Sequence, residues 1–179
     1  DNGSSWDRIS PRFFETVGEP VVRGRGFTEQ DTATSRMVAV VNQKFVQKFF
    51  PKEDPIGRHF GTSGQESAAD YEIVGIVADA KYTNPRDLPR PMYFRPLTQL
   101  NPHLKQGSAI MGESRSLFAN SITVQFVGEP AALESAARRK LTNINPKLNI
   151  EDFRSLDHQV ADNFNQERLI TRLTGLFGV

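Results

Sequence analysis

Cysteine is absent from the 179-residue chain, which excludes disulfides, thiolate-bound metals and a cysteine nucleophile. Histidine is scarce: His59, His103 and His158 stand far apart, with no HxH or HxxxH spacing to converge on a metal ion. No run of 18 apolar residues occurs, so no segment has the length of a membrane-spanning helix. The opening DNGSSWD has neither the basic nor the apolar region of a signal peptide. A one-signed charge field is missing as well. The 22 Lys and Arg balance 21 Asp and Glu to a net +1, which argues against nucleic acid or an anionic membrane as the main partner. The phosphate cradles GxxxxGK(S/T) and GxGxxG and the nucleophile motifs GxSxG and SxxK do not occur.

What is present is an ordinary globular composition, 37% apolar and 24% charged, in a chain long enough for one domain or two small ones sharing a core. The organising stretch is Met37–Phe60. Met37–Val41 is an unbroken apolar run suited to a strand covered on both faces. Asn42 stands at a helix N-cap, and beyond it Phe45 and Phe49, then Val46 and Phe50, recur four apart. Lys44, Gln47 and Lys48 fall on the opposite face. Pro51 stops the helix, and Asp54-Pro55-Ile56-Gly57 turns the chain.

Upstream, Ser10 caps a short helix carrying Phe13, Phe14 and Val17, which Gly18 ends. Val21–Phe27 reads as a strand and a bend, and Thr28 with Asp31 has capping-box spacing. Downstream, Tyr71–Ala78 is a core strand in which Gly75 marks a bulge or a close backbone approach. Met92–Leu97 is β-like, and Pro96 argues for an edge position. Ser121–Val127 alternates as a half-buried strand. A helix from Pro130 to about Asn143 turns Leu133, Ala136, Ala137, Leu141 and Ile144 inward, with acids early and Arg138, Arg139 and Lys140 late. Leu148, Ile150 and Phe153 alternate as a further strand, and Ser155 caps a last helix. The fold class is α+β, its tail a split βαβ layer.

Few side chains suggest chemistry. Asp79, at a strand end beside Lys81, is a candidate acid, with a turn carboxylate as the alternative. Arg86, Arg90 and Arg95 fall in a proline-rich stretch with Tyr82, Tyr93 and Phe94, as a grip on an anionic ligand or RNA or, the commoner case, as a solvated face. The residues alone describe a non-catalytic globular domain. Its competitors are a ligand- or peptide-binding module using the loops at 81–91 and 101–120, and a hydrolase assembled from distant residues.

Several stretches together resemble the extracytoplasmic domain of MacB/FtsX-type ABC transporter permeases. They are ISPRFFETVG at 9–18, VVRGRGFTEQD at 21–31, MVAVVNQKFVQKFFPKEDPIGRHF at 37–60 and YEIVGIVADAK at 71–81. MYFRPL at 92–97, NSITVQFVGEPAALESAARRKL at 120–141 and QERLITRLTGLFG at 166–178 follow in the family's order. Glu19 departs from the pattern, standing where the family carries an apolar residue, and the loop at 105–120 matches no family motif. The resemblance implies a porter-like split βαβ layer, here 1–20 and 104–168 with its N-terminal part outside this sequence. A small β-rich (Sabre-like) subdomain, 21–103, is inserted into it, and 169–179 begins the following membrane helix. Leu169, Ile170, Leu173, Leu176 and Phe177 are then membrane-proximal coupling residues. The resemblance further implies no catalysis, no cofactor or metal in this domain, and ATP bound by a separate nucleotide-binding domain. The implied partners are the permease's own membrane helices and a cytoplasmic ATPase subunit, with a periplasmic adaptor or a second permease copy as further candidates and no nucleic acid. The implied location is the extracytoplasmic face of the bacterial inner membrane, within an integral membrane protein.

Overall fold

Val38–Asn42 forms strand β3, buried along its whole length as its apolar run requires, and it sits at the middle of a six-stranded open sheet. The computed structural model describes residues 3–62, 67–82, 86–101, 116–117 and 121–162. These divide between two units, Asp1–Lys81 with Leu88–Gln125, and Tyr82–Asp87 with Phe126–Val179. The sheet belongs to the first. Its elements are β1 (Ser5–Ile9), α1 (Phe13–Val17), β2 (Val21–Gly24), β3, α2 (Gln43–Phe49), β4 (His59–Phe60), β5 (Tyr71–Val77) and β6 (Met92–Pro96). The strand order is β1-β6-β3-β5-β2. β1 runs parallel to β6 and β3 parallel to β5, while β3 with β6 and β2 with β5 are antiparallel. β4 pairs with the start of β5, at Tyr71 and Glu72, on the edge β2 also uses.

The two faces of the sheet carry separate apolar clusters. On one, Phe14 of α1 and Phe27 pack with Ile9, Val38, Val40, Val77, Met92 and Phe94. On the other, Phe45 of α2 packs with Val41, Ile73, Ile76 and Tyr93, and Phe50, Ile56 and Phe60 close the cluster. β5 serves both faces through a bulge. Ala39 pairs with Ile73 but Val40 with Gly75, so Val74 is the extra residue. The bulge resets the alternation: Ile73 and Ile76, three apart, both face α2, whereas Val74 and Val77 face α1. Gly75 is required there. A Cβ at that position would lie 2.0 Å from the Arg25 carbonyl oxygen, and one at Gly24 would lie 2.3 Å from the Val74 carbonyl oxygen. Both the bulge and the close approach are therefore present at one glycine.

Several expectations change. Pro96 is not on an edge strand, since β6 lies between β1 and β3. Its missing N–H is tolerated because β3 pairs with β6 only at Phe94 and Tyr93, leaving the end of β6 without a ladder on that side. Ser10 does not cap α1 by its side chain. The helix starts after Arg12 and the Ser10 carbonyl accepts the Phe13 N–H at 3.1 Å. Gly18 does end it, in the left-handed conformation at φ +73°. The Thr28 N–H donates to the Asp31 carboxylate as in a capping box, but the Asp31 N–H goes to the Thr28 carbonyl, no helix follows and the segment is a turn. Glu19 is buried despite its charge.

The second unit holds α3 (Pro130–Ile144), with Pro130 at its first turn, and α4 (Leu156–Asp162). The Ser155 hydroxyl accepts the His158 N–H at 3.1 Å, as a cap should. The inward face expected of α3 is half-buried at Leu133, Ala136, Ala137 and Leu141, but Ile144 is 75% exposed. Its end turns carry no complementary charge. Arg138 instead pairs with Glu134 one turn earlier at 2.7 Å and donates to the Ile150 carbonyl at 3.1 Å. Neither expected strand of the tail forms. Ser121–Val127 is exposed and Leu148–Phe153 irregular, because among the described residues no strand offers either a ladder partner. The architecture is mixed α and β with one open sheet.

Candidate functional site

The polar side chains of the first unit gather where chain segments must be held to one another. Asn42, at the end of β3 and fully buried, holds three separate segments. Its Oδ1 accepts the Phe45 N–H at 2.9 Å, capping α2, and also the Met92 N–H at 2.8 Å. Its Nδ2 donates to the Arg90 carbonyl at 2.8 Å. Asp79 completes the helix start, its Oδ1 accepting the Lys44 N–H at 2.8 Å. The candidate acid is thus a second cap of α2, which the turn-carboxylate reading anticipated.

Gln99 is the residue that sequence reasoning missed. It is buried, its Oε1 accepts the Val38 N–H at 3.0 Å, and its Nε2 donates to the Arg36 carbonyl at 2.9 Å and to Ser35 Oγ at 3.0 Å. One side chain thereby fastens the 32–36 loop to β3. No local pattern marks a glutamine three residues beyond a strand for this, and the contact spans more than 60 positions. The same loop is held from its other end by Asp31, which Arg25 grips with two guanidinium nitrogens at 2.8 and 3.0 Å.

Burial alone would push the Asp31 carboxyl up. The hydrogen bonds from Arg25 and from the Thr28 N–H and hydroxyl outweigh it and hold the group below its ordinary range. A depressed carboxylate stabilises the fold above its unfolded pKa of about 3.9 and loses that contribution as the pH falls through the folded value. The stability difference between the wild type and Asp31→Asn is therefore expected to be constant from pH 7 to 5 and to shrink below about pH 4. Urea midpoints at pH 7, 5 and 3 measure it. A difference unchanged at pH 3 would show that the carboxylate charge is not its source.

The arginine stretch does not act as a set. Arg95 lies in β6, buried, with its guanidinium 4.1 Å from the Trp6 ring centroid and donating to the Tyr71 hydroxyl at 2.7 Å. Arg8, its register neighbour on β1, is also buried and donates to the carbonyls of Leu97 and Gln99. Arg90 contributes its backbone carbonyl to Asn42, while Arg86 and Tyr82 belong to the second unit. His59 is exposed on β4, His158 stands 3.5 Å from Asp162, and His103 lies outside the described residues. Among the described residues no cluster of three His, Asp or Glu side chains is placed to hold a metal ion, and no helix is long and apolar enough to cross a membrane. The coupling residues Leu169, Ile170, Leu173, Leu176 and Phe177 lie outside the described residues, as does most of the 101–120 loop.

The polar groups in view thus bind chain to chain within a mixed α and β fold. Residues 2–144 match the model of the MacB-like periplasmic core domain, and the chain belongs to that family. No curated protein matches it significantly. Among solved structures, it is similar to the periplasmic region of MacB from Actinobacillus actinomycetemcomitans, at 16% identity and a TM-score of 0.49, over 78% of this chain and 56% of that one. It is also similar to the extracellular domain of the noncanonic ABC-type transporter YknZ from Gram-positive bacteria, at 21% identity and a TM-score of 0.38, over 51% of this chain and 42% of that one. A domain of a protein designated a permease from Porphyromonas gingivalis matches at 13% identity and a TM-score of 0.42, over 79% of this chain and 59% of that one. The matched parts thus span about half the length of these proteins. Their TM-scores fall below 0.5, and membership of the family rests on the match over 2–144.

Proposed function

We propose that this chain is a non-catalytic extracytoplasmic domain of an ABC transporter permease. It relays ATP-driven motion of membrane helices to a substrate or partner outside the membrane. The family match over residues 2–144 carries this reading. The use of Asp79, Asn42 and Gln99 as structural ties agrees with it, because these groups are engaged in holding backbone. In this reading residues 1–20 and 104–168 form the porter-like layer, 21–103 the inserted Sabre-like part and 169–179 the entry to the next membrane helix. ATP is bound by a separate cytoplasmic subunit, and an adaptor or a second permease copy docks outside the membrane.

Leu173 is then a lever residue and not a core residue. In the full permease, Leu173→Asp is expected to abolish the ATP-dependent change in distance between a spin label on α3 and one on a membrane helix. The isolated chain with the same change is expected to melt within a few degrees of the wild type. Unfolding of the isolated chain would make Leu173 a core residue, and a distance change that persists would remove the lever.

A further inference from the structure

Among the described residues the sheet ends at β2 on one side and at β1 on the other. A terminal strand offers its outward N–H and C=O groups to any chain that can lie beside it. The two ends differ. β2 is bent by the register shift between Val21 and Arg23, and Arg23 is tied to Asp54, so it presents no regular row. β1 keeps unbroken register with β6 along its whole length, and Ser5, Trp6 and Asp7 are exposed. Alternate residues of a strand turn their backbone groups to opposite sides. The Ser5 N–H donates to the Pro91 carbonyl at 2.9 Å and the Ile9 carbonyl accepts the Leu97 N–H at 3.0 Å, so Ser5, Asp7 and Ile9 turn toward β6. The backbone groups of Trp6 and Arg8 therefore turn outward. The Arg8 N–H is already occupied: the Asp7 carboxylate reaches across it and accepts at 2.7 Å.

We propose that β1 is a strand-addition edge held shut by Asp7, and that the strand it would otherwise take is β1 of a second copy of this chain. Two copies laid antiparallel about a two-fold axis through Asp7 place Trp6 of each opposite Arg8 of the other. Those residues carry the outward N–H and C=O groups, so each such pair can exchange both hydrogen bonds. This register keeps both outward residues of each copy within the paired strands. Asp7 opposes it twice. Its carboxylate takes the Arg8 donor for itself, and across the axis it would face a second carboxylate with the Cα atoms about 4.5 Å apart, a like-charge pair that disfavours the seam. The shut edge is a property of the sheet and does not depend on the relay reading.

Sedimentation velocity over a concentration series measures the association. The wild type is expected to remain a monomer. Asp7→Ala frees the Arg8 donor in each copy, and at about tenfold per recovered bond its dimer is expected to be about a hundredfold tighter than any the wild type forms. Asp7→Asn keeps an oxygen on the Arg8 N–H but loses the charge, and is expected to fall between the two. Because the chain has no cysteine, Asp7→Cys puts a single thiol beside the two-fold axis, at a separation that a disulfide spans. In a glutathione buffer it is expected to form linked dimers about tenfold faster than Ser5→Cys, whose thiol would lie opposite Ile9 of the second copy and far from its own counterpart. Asp7 is exposed and belongs to neither apolar cluster, so these variants are expected to melt with the wild type. A wild type that dimerises as tightly as Asp7→Ala, or an Asp7→Ala chain that stays monomeric, overturns the proposal. Equal linking at the two cysteine positions also overturns it, as does association beyond a dimer, because two-fold pairing uses up β1 of both copies.

Discussion

Asn42→Ala is expected to destabilise the sheet-bearing unit by about 3 kcal/mol, near the upper end for one polar side chain. Loss of a helix N-cap alone costs about 1 kcal/mol. The remainder comes from Met92, whose buried N–H loses its acceptor, and from the Arg90 carbonyl, which loses a donor; each such loss costs about 1–3 kcal/mol unless water replaces it. Asn42→Ser separates the two contributions. Serine caps well but is too short to reach Met92 and Arg90, so it is expected to recover about 1 kcal/mol and no more. Urea unfolding followed by Trp6, the chain's one tryptophan, reads this directly because Trp6 lies in β1 against Arg95. The midpoint should fall with the slope unchanged. A midpoint for Asn42→Ala within 1 kcal/mol of the wild type would show that water satisfies Met92 and that the side chain is only a cap.

The second large effect is expected at Gly75. Alanine there places a methyl group 2.0 Å from the Arg25 carbonyl oxygen, a backbone atom on a strand-end segment itself bonded to Val74 by a 2.9 Å hydrogen bond. Relief requires β2 and β5 to part at the bulge, and the cost is expected to reach about 3 kcal/mol, or roughly 10 °C in Tm. Gly18 provides the contrast. It has a left-handed φ of +73° but nothing within 4 Å of the added carbon, so Gly18→Ala is expected to cost only about 1–2 kcal/mol of conformational strain. Thermal melts of the two variants side by side distinguish crowding from φ preference. Equal losses would mean that the sheet accommodates the methyl group and that Gly75 is present for the bulge alone.

Those two residues were not equally visible in the amino-acid pattern. Asn42 as a cap follows from its position before a helical repeat, and the bond to Phe45 lies three residues away. Its hold on Met92 lies fifty residues away and has no local signature. Gly75 stood out as an irregularity in an apolar strand, but the identity of the group pressed against it, the Arg25 carbonyl, came from the pairing of β2 with β5. Asp79 was visible as a carboxylate at a strand end and ambiguous until Lys44 was found beside it.

The sequence by itself determined what short-range physics controls: the caps at Asn42 and Ser155, the stop at Gly18, the apolar face of α2 and the extent of α3. It also carried the family, which the match over 2–144 bears out. The tertiary structure alone decided the strand order, the interior place of Pro96, the parity reset at Val74 and the Gln99 fastening. The reason is one of range. Capping and periodicity are satisfied within about one helical turn, whereas a strand's burial and its hydrogen-bond partners depend on which distant segment comes to lie beside it. Ser121–Val127 shows the difference most plainly: its alternation is that of a strand, and without a ladder partner among the described residues it does not become one.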